Sequence, residues 1–260
     1  MIYFLTMNTR WRITALLLLS LGTHPASADS DFDWMVAPYG WLPGISVDQS
    51  GNSDSGDGGG ISASDILEKT ESVFMFRFEA ARKRWGVTVD YITLSLADQT
   101  TLSARPPFDV TIDIDGDLDL DVAEIAAFYR PSSEVAGINY LLGVRQISTA
   151  KTLFITPSFG ETQRIDTDAD VTDVFLGARY LHQFGERWGA SIRGDYSFGD
   201  SEGTLNLLAS IGFRVAGPFA LQLGYRYASI EYEEDVELAT VTTEITLDGP
   251  YLGFVFRWLY

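Results

Sequence analysis

Residues 188–227 read WGASIRGDYSFGDSEGTLNLLASIGFRVAGPFALQLGYRY, and this stretch decides the fold. From Trp188 to Phe198, apolar and aromatic residues stand at every second position (Trp188, Ala190, Ile192, Tyr196, Phe198), with Ser191, Arg193, Asp195 and Ser197 between them. The next run sets Leu205, Leu207, Ala209, Ile211, Phe213 and Val215 against Asn206, Ser210 and Arg214. A third sets Phe219, Leu221, Leu223, Tyr225 and Tyr227 against Gln222, Gly224 and Arg226. A period of two belongs to an extended strand whose two faces meet different surroundings. Gly217-Pro218 leaves room only for a tight turn, whereas the link at Gly199–Gly203 is longer and polar.

The same alternation continues outward in both directions, for example Phe74, Phe76 and Phe78 against Arg77 and Glu79. Short turns at Lys83-Arg84, Pro131–Ala136, Gly185-Glu186 and Gly217-Pro218 alternate with longer polar links at Asp48–Ser64, Ala97–Pro107, Ser158–Gln163, Gly199–Gly203 and Glu231–Thr242. Outer-membrane barrels combine short periplasmic turns with longer extracellular loops on an even number of strands. The expected fold is therefore all-β: a closed antiparallel up-and-down transmembrane barrel of about ten strands, with both ends periplasmic. Eight strands is the alternative if the outermost arms are miscounted. An exported soluble β-sandwich is the competing fold, and it would pack Phe213, Leu223 and Phe254 against one another between two sheets.

The N-terminus reads as a processing segment. Arg10 and Arg12 precede the apolar stretch Ile13–Gly22, and Ala26-Ser27-Ala28 forms a small-x-small cleavage site. The stretch falls short of the ~20 apolar residues of a spanning helix. Residues 1–28 are thus expected to be a cleaved signal and 29–260 the barrel, exported to the bacterial outer membrane. Loss of the two arginines takes the formal charge from −18 to −20. Nucleic-acid binding by phosphate neutralisation needs clustered Lys and Arg and is not expected. The chain has no cysteine.

Several strands look longer than a bilayer requires. Phe108–Tyr129 could run extended for about 70 Å at roughly 3.3 Å per residue, whereas a tilted spanning strand needs ~9–11 residues. Asp109–Asp121 is expected to project above the membrane. A parity break near Val122–Ile125 supports this, and similar breaks after Tyr91 and Tyr227 fit strands leaving the bilayer, or bulges at the rim. Ile61–Lys69 suits a short amphipathic helix, with Ser64 as N-cap.

Aromatic residues gather at strand ends. Trp85 and Trp188 each follow a short turn within Arg-Trp-Gly, and Tyr129, Tyr180, Phe219, Trp258 and Tyr260 should share their level in a periplasmic girdle. Tyr39, Trp41, Tyr91, Tyr196, Phe198 and Tyr227 could supply the opposite girdle. The chain closes on Gly253, Phe254, Phe256, Trp258 and Tyr260, which resembles the terminal signal that outer-membrane barrels present to the barrel assembly machinery.

Pro38-Tyr39-Gly40-Trp41, Ser64-Asp65-Ile66-Leu67, Phe78–Arg82 with Trp85-Gly86 and Asp90, Gly224–Tyr227 and Gly249–Gly253 carry a wider resemblance. On these residues the chain resembles a family of uncharacterised bacterial outer-membrane barrel proteins, in general architecture similar to small OmpA-like and porin-like barrels. The resemblance implies fold and location but no activity, since one fold hosts many functions.

Inward faces should hold Arg77, Arg145, Arg179, Arg193, Arg226 and Arg257 with Glu79, Asp90, Glu124, Asp173 and Asp195. Barrels near eight strands are filled by side chains, while water-filled porins need about 16–18 strands. The expected function is non-enzymatic: structural, or a narrow passive pore with a charge-paired lumen. His182 is the one histidine beyond the signal, and it falls near the periplasmic turn on an outward-facing parity, a poor place for a general base acting at the outer leaflet.

Asp113, Asp115, Asp117 and Asp119 invite a calcium-loop reading, but Thr111 and Val122 stand where an EF-hand needs its first Asp and terminal Glu. Same-face carboxylates two residues apart on a strand lie ~7 Å from each other. A solvated acidic face is the expectation, and a weak divalent site shared with a neighbouring strand the alternative. No cofactor is expected. A surface-binding protein acting through these acidic arms, with or without divalent cations, is the second functional reading. Expected partners are outer-membrane lipid, lipopolysaccharide and the assembly machinery.

Overall fold

A computed structural model describes residues 32–50, 56–103, 111–132, 134–158, 160–236 and 239–259. The alternating runs form β1 (Phe32–Trp41), β2 (Gly44–Ser50), β3 (Gly56–Ile61), β4 (Thr70–Arg82), β5 (Trp85–Ser103), β6 (Thr111–Tyr129), β7 (Gly137–Pro157), β8 (Gln163–Phe184), β9 (Trp188–Gly199), β10 (Gly203–Ala216), β11 (Phe219–Val236) and β12 (Ala239–Leu259). The helix α1 (Ala63–Lys69) lies between β3 and β4. From β4 to β12 every strand pairs antiparallel with its successor, and β1 closes the cylinder against both β4 and β12. β1 and β2 are one wall element. β1 runs along β12 to Trp41↔Tyr251, and β2 resumes on the same strand at Gly44↔Asp248. The interruption is Leu42-Pro43, which sits so close to Gly249 that a Cβ there would lie 2.0 Å from the Leu42 carbonyl oxygen. The barrel therefore has ten wall strands, as expected, and β3 is an extra strand hairpinned onto β2.

The outward face through the lower barrel is apolar. Leu176, Leu223 and Leu142 are 63%, 62% and 58% exposed, and Ile125, Ile192, Phe198 and Phe254 are exposed with them. Leu223 and Phe254 thus point away from the protein, which excludes the sandwich. A closed ladder leaves no backbone edge unpaired at this height, the condition for a β-structure to stand in hydrocarbon. This is an integral membrane barrel of the outer-membrane type. Among the described residues, no helix is long and apolar enough to cross a membrane.

Three sequence expectations are corrected. Ala97–Pro107 and Glu231–Thr242 are largely strand: β5 runs to Ser103, and β11 and β12 pair up to Val236↔Ala239. The cause is that polar outward residues such as Thr93, Ser95 and Gln99 look like loop while apolar inward ones keep the ladder going. No bulge marks the parity break near Val122–Ile125. β5–β6 and β6–β7 pair without a register shift from one end to the other, and so does β11 past Tyr227. What changes there is the chemistry of the faces. Ser62, not Ser64, caps α1: its hydroxyl accepts from the Asp65 amide while the Asp65 carboxylate accepts from the Ser62 amide, a capping box.

Above the bilayer the inward positions become apolar and the outward ones polar. β6 sends Ile114, Leu118, Leu120 and Val122 inward, on the parity of buried Glu124, and turns Asp113, Asp115, Asp117, Asp119 and Asp121 outward. β5 to β8 and β11 with β12, β2 and β3 rise as two tall arms, while β9 and β10 turn back early at Gly199–Gly203. α1 packs against β2 and β5 and buries Ile66.

Candidate functional site

The charged interior is set by strand parity. Arg77 and Glu79 on β4, Asp90 on β5, Glu124 on β6, Arg145 on β7, Asp173 and Arg179 on β8, Arg193 and Asp195 on β9, Arg226 on β11 and Arg257 on β12 all point into the barrel. Ions shielded from water are tolerated only when paired and hydrogen-bonded, and the pairing reaches across the lumen.

Nearest the periplasmic turns, Asp33 accepts from Arg257 Nε and Nη2 at 2.8 and 2.7 Å and from Arg130 at 3.3 Å. Glu79 forms a two-pronged pair with Arg179 on the far side of the barrel, the longer bond 3.1 Å. At mid-height Glu124 accepts from Arg145 at 2.8 Å, Arg193 at 2.9 Å and Arg226 at 3.4 Å. Asp195 accepts from Arg145 at 2.6 Å, Arg193 at 2.7 Å and Asn206 at 2.8 Å. Asp90 takes Arg77 Nε at 2.9 Å and the Tyr39 hydroxyl at 2.5 Å.

Two buried rings organise the arginines. Arg145 and Arg193 lie over Phe175 at 5.0 and 5.4 Å, and Arg130 and Arg179 over Phe128 at 5.2 and 5.4 Å. A guanidinium over an aromatic face is attracted by the ring quadrupole, the more so away from water. Room for the Phe128 ring depends on Gly86, where a Cβ would sit 2.2 Å from its Cζ.

Towards the loops the interior turns apolar. Trp41, Met75, Ile92, Leu208, Leu247 and Tyr251 pack together, with Tyr39, Ile45, Val122, Ile230 and Ile245 against them. Salt-bridged side chains thus lie below and this cluster above.

The structure departs from the sequence reading at several places. Asp173 is inward and buried, but it is held by Ser197 at 2.9 Å and by the Ser201 hydroxyl and amide at 2.6 and 3.1 Å, where it ties down the short β9–β10 turn. Tyr39 and Trp41 do not join a girdle; both point inward, since they share parity with buried Asp33 and Ala37. Asp33, Arg130 and Asn206 belong to the network and were missed. Parity counted through Phe128 would have placed Arg130 inside.

On the outer surface, Trp85 meets Tyr129 and Trp188 meets Phe213 in tilted ring pairs, each with centroids 4.8 Å apart. Tyr180, His182, Phe184 and Trp188 form one continuous stack. Phe219 meets Phe254 and Phe256, and Phe256 meets Trp258. Gly253 faces inward, and Tyr260 lies outside the described residues. Asp113, Asp115, Asp117 and Asp119 point outward along one strand. Among the described residues no group of three or more metal-type side chains converges on a point.

No protein-family model matches the chain, and no curated protein does. Among solved structures it is similar to Ail, the attachment invasion locus protein of Yersinia pestis (10% identity, 88% of this chain and 100% of that one, TM-score 0.29). It is also similar to the outer membrane protease OmpT of Escherichia coli (8%, 90% and 99%, TM-score 0.40). A third is the toluene transporter TodX of Pseudomonas putida (9%, 88% and 90%, TM-score 0.27). All three are similar to this chain at low identity and low TM-score, and the barrel assignment stands on the pairing and the faces described above.

Proposed function

We propose that the chain is a non-conducting, non-enzymatic barrel of the bacterial outer membrane, a closed stem that holds two β arms above the surface. The observation that carries this reading is the clamp at mid-height, where Arg145, Arg193 and Arg226 converge on Glu124 and Asp195 beneath the apolar cluster of Trp41, Met75, Ile92, Leu208, Leu247 and Tyr251. A permeating ion would have to break pairs whose members are shielded from water, and then pass a layer packed mostly with apolar side chains. Of the two forms expected from sequence, structural element or narrow pore, this favours the first. Planar-bilayer recording of the purified barrel should be silent; reproducible ohmic conductance from the unmodified protein would return the pore reading.

A second reading rests on the arms. The outward carboxylates of Asp113–Asp121 on β6 face the same side as Asp166, Asp168 and Asp170 on β8, with β7 between them. Such a surface suits attachment to a cationic or cation-bridged partner. It predicts cell or matrix attachment that depends on calcium and disappears when Asp113, Asp115, Asp117 and Asp119 become Asn. Attachment unaffected by those changes would remove it.

A further inference from the structure

Within the interior, two buried donors have no hydrogen-bond partner, Trp41 Nε1 on β1 and Arg226 Nη1 on β11, and the Tyr251 hydroxyl on β12, which nears Ser210, stands beside them. Their residues are only 7%, 5% and 5% exposed. All three residues line one small cavity, together with Tyr39, Arg77 and Gln222. Its volume is ≈ 10 Å³, the room of about one water molecule or one monatomic ion. The Arg226 guanidinium also lies over the Trp41 ring at 5.0 Å, which holds the two donors as neighbours.

Indole and guanidinium nitrogens can only donate, so an occupant that satisfies both must be an acceptor. Its charge follows from the local ions. Arg145, Arg193 and Arg226 share Glu124 and Asp195, and Arg145 also stands opposite buried Asp173, to which Ser197 links it, so the set is balanced overall but not at each guanidinium. Arg226 is the least neutralised of the three. Its pair with Glu124 is the longest of the five at 3.4 Å, and its Nε goes to neutral Asn206 at 3.0 Å. The nearby carboxylate of Asp90 is already taken by Arg77 and Tyr39. We propose that this cavity binds a single small monovalent anion of halide size, held by Arg226, Trp41 and Tyr251. Sulfate and carboxylates are too large for the space. The site is independent of whether the barrel conducts, because an anion seated here is held among the side chains of the cluster itself, Trp41 and Tyr251, beside Arg226.

The test uses the full-length barrel in detergent. Thermal unfolding is followed in sodium bromide and in sodium gluconate at equal ionic strength, and crystals grown in bromide are measured at the bromine absorption edge. The expected results are an anomalous peak within hydrogen-bonding distance of Arg226 and a saturable rise of the unfolding midpoint with bromide but not with gluconate. Trp41→Phe keeps the ring and removes one donor to the ion. A hydrogen bond to a charged group lost there should weaken bromide about tenfold. Arg226→Gln should abolish the saturable rise. Density without anomalous signal, meaning a water occupant, overturns the proposal. So does equal stabilisation by gluconate, or unchanged bromide affinity in Trp41→Phe.

Discussion

The stem and the arms are built on the same strands in one register, yet their faces are opposite. On β6, Glu124 points inward below and Ile125 outward, whereas Leu120 points inward above and Asp119 outward. The pairing between them is uninterrupted, so the inversion is a property of surroundings and not of backbone. In the stem, lipid takes the apolar face and the polar residues must find partners inside. In the arms, water takes the polar face and the apolar residues close on one another as in any soluble sheet. The height of the bilayer is thereby written on the strand as the residue pair at which polarity changes sides.

The comparison can be broken most sharply inside the stem. Glu124→Gln leaves Arg145, Arg193 and Arg226 around one remaining carboxylate, and removing one partner of a buried pair costs about 3–5 kcal/mol. Urea unfolding of the barrel refolded in vesicles should show a loss of that size. Next comes the lipid face: Leu223→Arg should cost about 2–4 kcal/mol, the penalty for arginine near the bilayer midplane. An arginine at an outward position of the arm, Asp119→Arg, should change the stability by no more than about 0.5 kcal/mol, as for ordinary surface substitutions. Equal effects of Leu223→Arg and Asp119→Arg would mean that the polarity change does not mark the membrane edge.

The smallest effect is expected at Lys69 and Asp98, which meet at 2.7 Å between α1 and β5. Their hydrogen bond holds the Asp98 carboxyl below its ordinary range and raises the Lys69 ammonium above its own. The pair therefore contributes only between those two limits. Its contribution fades as pH falls through the lowered carboxyl and again as pH rises through the raised ammonium. Both groups are solvated, so Lys69→Ala should differ from the parent by an amount near the detection limit of thermal melts at neutral pH. That difference should vanish in acid.

Much of the architecture was legible because period two is recorded within each strand alone. Trp188 to Tyr227 carries it without any knowledge of neighbours, and so do the short turns at Lys83-Arg84 and Gly217-Pro218. The inward ionic residues of the stem follow from the same count. What parity does not encode is which ions meet. Glu79 finds Arg179 one hundred residues away because the strands tilt around the cylinder. Tyr39 and Trp41 were misplaced because an aromatic ring with a polar edge suits an interface and a buried socket alike; only counting from Asp33 distinguishes them. The arms looked like loops because their outward Asp, Ser and Thr are loop-forming residues, while the inward Ile and Leu that sustain the pairing stand singly between them.

The reach of the ion pairs has a kinetic consequence. Asp33 joins the first strand to Arg257 on the last, and Glu124 joins β6 to arginines on β9 and β11. An incomplete sheet, still open along one edge, holds these groups apart and hydrated. Dehydration of the arginines is then coupled to the final meeting of β1 with β12, so the ionic core forms late and as a unit. Opening that one seam releases the same set together, which makes resistance to unfolding a property of the last hydrogen-bonded junction rather than of any single hairpin.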